Sequence, residues 1–118
     1  MYSKTLLAHF RAPVNVGQLE PPATTVEVTN PVCGDILRLS VLWVDGKAED
    51  VRFKARGCTA SIAAGSALTQ LIEGKARVTV RGLTAADVEA ALDGLPNESK
   101  HAAALCMDAA LLVSQSSE

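Results

Sequence analysis

Between Ile36 and Phe53 apolar side chains fall on alternate residues: Leu37, Leu39, Val41 and Trp43, then Val51 and Phe53. A period of two suits a strand with one buried face, and Asp45-Gly46 between the two runs supplies turn chemistry. The segment predicts adjacent antiparallel strands at Ile36–Val44 and Val51–Ala55. An earlier β-branched run, Thr24 to Thr29, predicts another strand, stopped by Asn30-Pro31.

Beyond Gly57 the period lengthens. Ala60, Ala63, Ala64, Ala67, Leu68, Leu71 and Ile72 form one helical stripe that opens at or just after Cys58 and ends at Gly74. Ser3 to Phe10 reads as a short helix with Ser3 as cap and Leu6, Leu7 and Phe10 at helical spacing. Leu83 to Leu92 reads as another, where Thr84 caps and Asp87 follows three residues on. Lys100 to Val113 gives the last helix, with Ala102, Leu105, Cys106, Ala109, Leu112 and Val113 on one face. Lys75 to Arg81 is ambiguous: Val78 and Val80 suggest a strand, and nothing fixes it. Gly94 to Asn97 reads as loop, and Ser114 to Glu118 as a polar, fraying tail. Strands first and helices afterwards predict an α+β fold, a sheet with helices on one face, in a single domain spanning residues 1–118.

Charge narrows the partners. The formal charge is -2, with acidic and basic residues mixed along the chain. That argues against nucleic acid or an anionic membrane as partner. Two Phe, one Trp and one Tyr are too few for a base-stacking platform. No stretch approaches the roughly 20 apolar residues of a membrane span, and the opening MYSKTLLAHF lacks the order of a signal peptide. A cytoplasmic protein is expected. Its three cysteines, odd in number and far apart, stay reduced there and turn attention to metal or redox chemistry.

Four residues at element ends could carry that chemistry. Cys33-Gly34-Asp35 places a thiol and a carboxylate on either side of a glycine in an inter-strand turn. Cys58 stands where the unpaired N–H groups and dipole of a helix favour a thiolate. By itself it could equally be a thiol packed beneath the turn. His101 opens the last helix, and a lone histidine there is ordinarily just solvated. It gains weight only from sharing an element end with Cys33 and Cys58. Cys106, by contrast, lies about 40° from Ala102 and about 140° from His101 on an ideal helix, within the apolar stripe, and is expected to be buried. His9, with no cysteine near it in sequence, is expected to be structural or exposed. No phosphate loop, nucleotide fingerprint or Ser-His-Asp order is present.

Taken together, these positions resemble the iron-sulfur cluster assembly scaffolds that include IscU, SufU and the N-terminal domain of NifU. Tyr2-Ser3, His9-Phe10, Pro13 and Asn15-Val16-Gly17 are similar to that family's N-terminal Y-S…H-(Y/F)…N-P-x-N-V-G. Asn30-Pro31-Val32-Cys33-Gly34-Asp35 resembles its P-x-C-G-D loop. Arg52-Phe53-Lys54-Ala55-Arg56-Gly57-Cys58 resembles R-F-K-x-x-G-C, and Ser61-Ile62-Ala63 with Gly74-Lys75 continues the match.

The resemblance implies a three-stranded antiparallel sheet packed against helices, and a metal site at Cys33, Asp35, Cys58 and His101. It also exposes a departure. The family's third cysteine falls on Ala102, one residue after the family histidine at His101. In the family that thiol is thought to receive sulfur from a cysteine desulfurase. The implied function is assembly or holding of a labile [2Fe-2S] cluster and its transfer to apo iron-sulfur proteins, by a carrier rather than an enzyme. The alternative is a Zn²⁺-bound sulfur acceptor for the desulfurase. Leu95-Pro96-Asn97-Glu98-Ser99 keeps only the first two letters of the L-P-P-V-K segment read by Hsp70-type chaperones, so the resemblance does not extend to that partner. The extra segment of the zinc-dependent SufU branch, between the second cysteine and the last helix, is not matched either.

Overall fold

The computed structural model describes residues 1–115. Three antiparallel strands, β1 (Thr24–Thr29), β2 (Ile36–Val44) and β3 (Lys47–Arg56), form one sheet in the order β1-β2-β3. Asp45 and Gly46, both at positive φ (53° and 77°), make the two-residue turn that lets β3 begin at Lys47, directly opposite Val44. The strand is thus longer than its apolar alternation indicated, because Lys47, Ala48 and Asp50 pair through backbone whatever their polarity. A register shift between Leu42 and Trp43 absorbs one residue and sets Trp43 opposite Ala48.

The alternating residues face inward as expected: Leu37, Leu39, Val41, Trp43, Val51 and Phe53 are all buried, and Leu39 stands opposite Phe53 and Val41 opposite Val51. Five α-helices are described: α1 (Lys4–Arg11), α2 (Thr59–Ile72), α3 (Arg77–Arg81), α4 (Ala85–Ala91) and α5 (Lys100–Gln115). α2 packs on β3, α5 packs on β1 and β2, and α1 lies against α2. Gly65 of α2 meets the Phe53 ring so closely that a Cβ there would fall 2.6 Å from it. The two caps read from sequence are present. Ser3 accepts from the Leu6 N–H, and Thr84 with Asp87 forms a reciprocal capping box.

Two short segments cover the free edge of β3. Asn15 and Gly17 exchange backbone hydrogen bonds with Phe53, and Gly74 and Lys75 do the same with Ala48. The second pairing explains the mixed signal at Lys75 to Arg81. The extended part ends at Ala76, and Arg77–Arg81 is a helix with Val80 buried and Val78 exposed. Arg77 lies 4.4 Å over the Trp43 ring, and both Arg77 and Arg81 donate to the Ser114 carbonyl. These arginines favour a helix here because they satisfy the C-terminal end of α5.

Other differences are smaller. Asn97–Ser99 is a 3-10 turn rather than open loop. Phe10 and Leu112 are exposed, while Ala103 and Ala110 join the buried face of α5. Ser114 and Gln115 belong to α5; the rest of the expected tail, residues 116–118, lies outside the described residues. Among the described residues no helix is long and apolar enough to cross a membrane.

Candidate metal centre

The β2–β3 register builds the site. Ile36 pairs with Arg56, so Asp35, one residue before β2, must lie beside Gly57 and Cys58, just after β3. The loop carrying Cys33 is tied shut by Asn30. Its side-chain oxygen accepts from the N–H groups of Val32 and Cys33, and its own N–H and carbonyl bond to Asp35 and Gly34. Cys33 is exposed on that loop, and Asp35 beneath it is buried.

Cys58 is the N-cap of α2 but makes no side-chain capping bond. Asp35 serves the helix instead, accepting from the Cys58 N–H at 3.5 Å and from Ser61 Oγ at 2.6 Å. Gly57 makes this approach possible. Its φ is +141°, and a Cβ there would fall 2.3 Å from Asp35 Oδ1. Burial alone would push the Asp35 carboxyl up. Hydrogen bonds from Ser61, from the side chain and backbone of Cys58 and from Cys33 outweigh it and hold the group below its ordinary value.

The 3-10 turn Asn97–Ser99 delivers the start of α5 to the same corner. His101 Nε2 stands 3.4 Å from Asp35 Oδ2 and 3.5 Å from Cys58 Sγ. Ligand atoms of Cys33, Asp35 and His101 all lie within 4.8 Å of one another. Around one tetrahedral zinc, donors bound at about 2.0–2.3 Å sit roughly 3.3–3.8 Å apart. The His101 contacts with Asp35 and Cys58 already match that spacing, and two sulfurs, one nitrogen and one oxygen are donors that zinc or ferric iron accepts.

The structure thus brings the four residues singled out from sequence to one end of the sheet. It keeps the others away. Cys106 is fully buried, and burial pushes its thiol up to about 12. Ala102, where the family resemblance puts a third cysteine, is buried too. His9 is half-buried and bonds Ser66 Oγ through Nδ1 at 2.8 Å, a structural role. Ser61 was not anticipated as part of the site. Its signals were its place in the Ser61-Ile62-Ala63 match and its position three residues beyond Cys58, one helical turn along the same face.

A small α+β protein with a sulfur-, nitrogen- and oxygen-bearing corner at one sheet end is the class that fold and site define. The family model described as NifU-like N terminal domain matches residues 1–114, and the chain belongs to that family. It is 38% identical over 109 residues to iron-sulfur cluster assembly scaffold protein IscU 1 of Archaeoglobus fulgidus, covering 92% of this chain and 71% of that protein. It is 36% identical over 75 residues to the zinc-dependent sulfurtransferase SufU of Bacillus subtilis, covering 64% of this chain and 50% of that protein. The crystal structure of the N-terminal NifU-like protein from Brucella abortus shares the fold, with a TM-score of 0.65 at 18% identity over 95% of this chain and 85% of that one.

Proposed function

We propose that this protein is an iron-sulfur cluster assembly scaffold, which holds a labile [2Fe-2S] cluster as cargo and passes it to apo-proteins. The observation that carries the reading is the convergence of Cys33, Asp35, Cys58 and His101 at one corner, in a chain of the NifU-like N terminal domain family. In this reading Cys33 and Cys58 supply thiolates and His101 an imidazole, while Asp35 is the hard oxygen donor that binds a soft cluster least tightly. Weak retention suits a carrier, and Cys33 on its exposed loop offers a recipient's thiols a place to attack. The protein turns over no substrate of its own. Its partners are a cysteine desulfurase and apo iron-sulfur proteins, met in the cytoplasm.

A second reading is supported by Ala102. Without a third thiolate beside His101, the donor set is the four-ligand S₂NO arrangement that suits a single tetrahedral Zn²⁺, and the chain is a sulfur acceptor like the zinc-dependent relative. Anaerobic reconstitution with ferrous iron, ferric iron and sulfide, followed by visible absorption and metal analysis, separates the two. Charge-transfer bands with iron and sulfide in equal amounts support the scaffold. Zinc that survives dialysis while no cluster forms supports the acceptor, and failure to bind either overturns both.

A further inference from the structure

Ser61 is not among the proposed ligands, yet it touches two of them. Its Oγ donates to Asp35 Oδ2 at 2.6 Å and lies 3.4 Å from Cys58 Sγ. A hydroxyl has one proton to give. With that proton on Asp35, the Ser61 oxygen has only acceptor capacity left on the side of Cys58 Sγ.

The carboxylate also has the side chains of Cys58 and Cys33 as partners, with the Cys58 N–H at 3.5 Å and His101 Nε2 at 3.4 Å. On its remaining side stands Gly57, whose bare Cα leaves room for Asp35 but fixes nothing by bonding. At 2.6 Å the Ser61 bond is the shortest of these distances to the buried carboxylate, and it fixes one of its oxygens, Oδ2. Ser61 itself is 3% exposed, so its hydroxyl has no bulk water to turn toward. A serine in the interior of a buried helix face usually returns its proton to a carbonyl of the preceding turn; here it crosses to another element.

We propose that Ser61 is a positioning residue, which holds the Asp35 carboxylate in the orientation that reaches a metal or cluster shared with Cys33, Cys58 and His101, without being a ligand itself. The inference rests on the ligand set proposed above. Carboxylates that ligate metals are themselves hydrogen-bonded, and losing such a partner typically costs about 10- to 100-fold in affinity.

The test is a titration of the purified chain with Co²⁺, whose visible d–d bands report both occupancy and geometry of the metal. Ser61→Ala is expected to raise the Co²⁺ dissociation constant about 10-fold or more and to alter the band shape. Ser61→Thr, which keeps the hydroxyl, is expected to restore both. Made on an Asp35→Ala background, Ser61→Ala should change the constant by less than about twofold, since the group it acts through is gone.

Equal affinity of Ser61→Ala and wild type overturns the proposal, as does an undiminished loss on the Asp35→Ala background. If Ser61→Ala does not fold, the isosteric pair Ser61→Thr and Ser61→Val repeats the comparison, and equal affinities in that pair overturn it. Wild type that binds no Co²⁺ at all fails the ligand set first and Ser61 with it; wild type that binds, with an indifferent Ser61→Ala, fails Ser61 alone.

Discussion

Cys106 is the thiol that a count of cysteines nominates as the third sulfur ligand, and Cys106→Ala tests whether α5 presents His101 or Cys106 to the site. Five residues separate the two, which on an α-helix is about 140° of rotation and about 7.5 Å of rise. Burial raises the Cys106 thiol to about 12. Burial thus disfavours the thiolate that metals require. Replacement by alanine removes a single sulfur atom from a packed face that includes Leu105, Ala109 and Val113. The void is about one methylene group in size, worth on the order of 1 kcal/mol. In a domain of this length that lowers the melting temperature by about 3–5 °C. The expected result is therefore a slightly less stable protein with unchanged zinc or cluster stoichiometry, read by thermal melts and metal analysis on the same preparation. His101→Ala is expected to do the reverse. Its side chain is 28% exposed, so little packing is lost, while a group within 3.5 Å of both Asp35 and Cys58 disappears. Metal lost in Cys106→Ala and kept in His101→Ala refutes the reasoning and makes Cys106 the relocated third thiolate.

Gly57→Ala forces a Cβ to within 2.3 Å of Asp35 at a φ of +141°, and should cost about 3 kcal/mol or more in a denaturant titration; a loss under about 1 kcal/mol contradicts the close approach. Burial lowers the His9 imidazole below 6.5, so the folded state gives up its proton more readily than the unfolded chain. Its stabilising effect is complete above pH 6.5 and fades as pH falls from there through the lowered value. Wild type should therefore lose stability relative to His9→Gln across that window, and parallel pH profiles would speak against it. Alkylation of the metal-free protein by iodoacetamide, followed by mass spectrometry, should modify exposed Cys33 first, half-buried Cys58 more slowly and Cys106 only on unfolding. Early modification of Cys106 would mean that α5 does not pack as described.

The sheet was legible because β1 and β2 combine clear alternation with β-branched residues, and Asp45-Gly46 marks the hairpin between β2 and β3 without ambiguity. The first half of β3 was not, since Lys47, Glu49 and Asp50 carry no apolar period: Lys47 and Asp50 take their strand geometry from pairing, and Glu49 is the extra residue at the register shift. At Lys75 to Arg81 the local pattern was ambiguous, and distant contacts accompany the outcome: Arg77 of the helix lies over Trp43 and donates to the end of α5. In the site, Cys33, Asp35, Cys58 and His101 were visible as chemically capable residues at element ends. Ser61 was hidden, because a serine within an alanine-rich stripe looks like a small helix residue until Asp35 arrives from another element.

The corner depends on two kinds of anchoring. Cys33, Asp35 and Cys58 are linked through the β2–β3 ladder, the Asn30 turn and the bonds from Ser61 and the Cys58 N–H to Asp35, so their mutual geometry is set by covalent proximity and paired backbone. His101 arrives on α5, which packs against β1 and β2 and is entered through a 3-10 turn. A ladder cannot shift by a fraction of a residue, whereas packed helices can slide by small amounts at modest cost. Of the four proposed ligands His101 is therefore the one whose position depends on helix packing and not on the strand ladder.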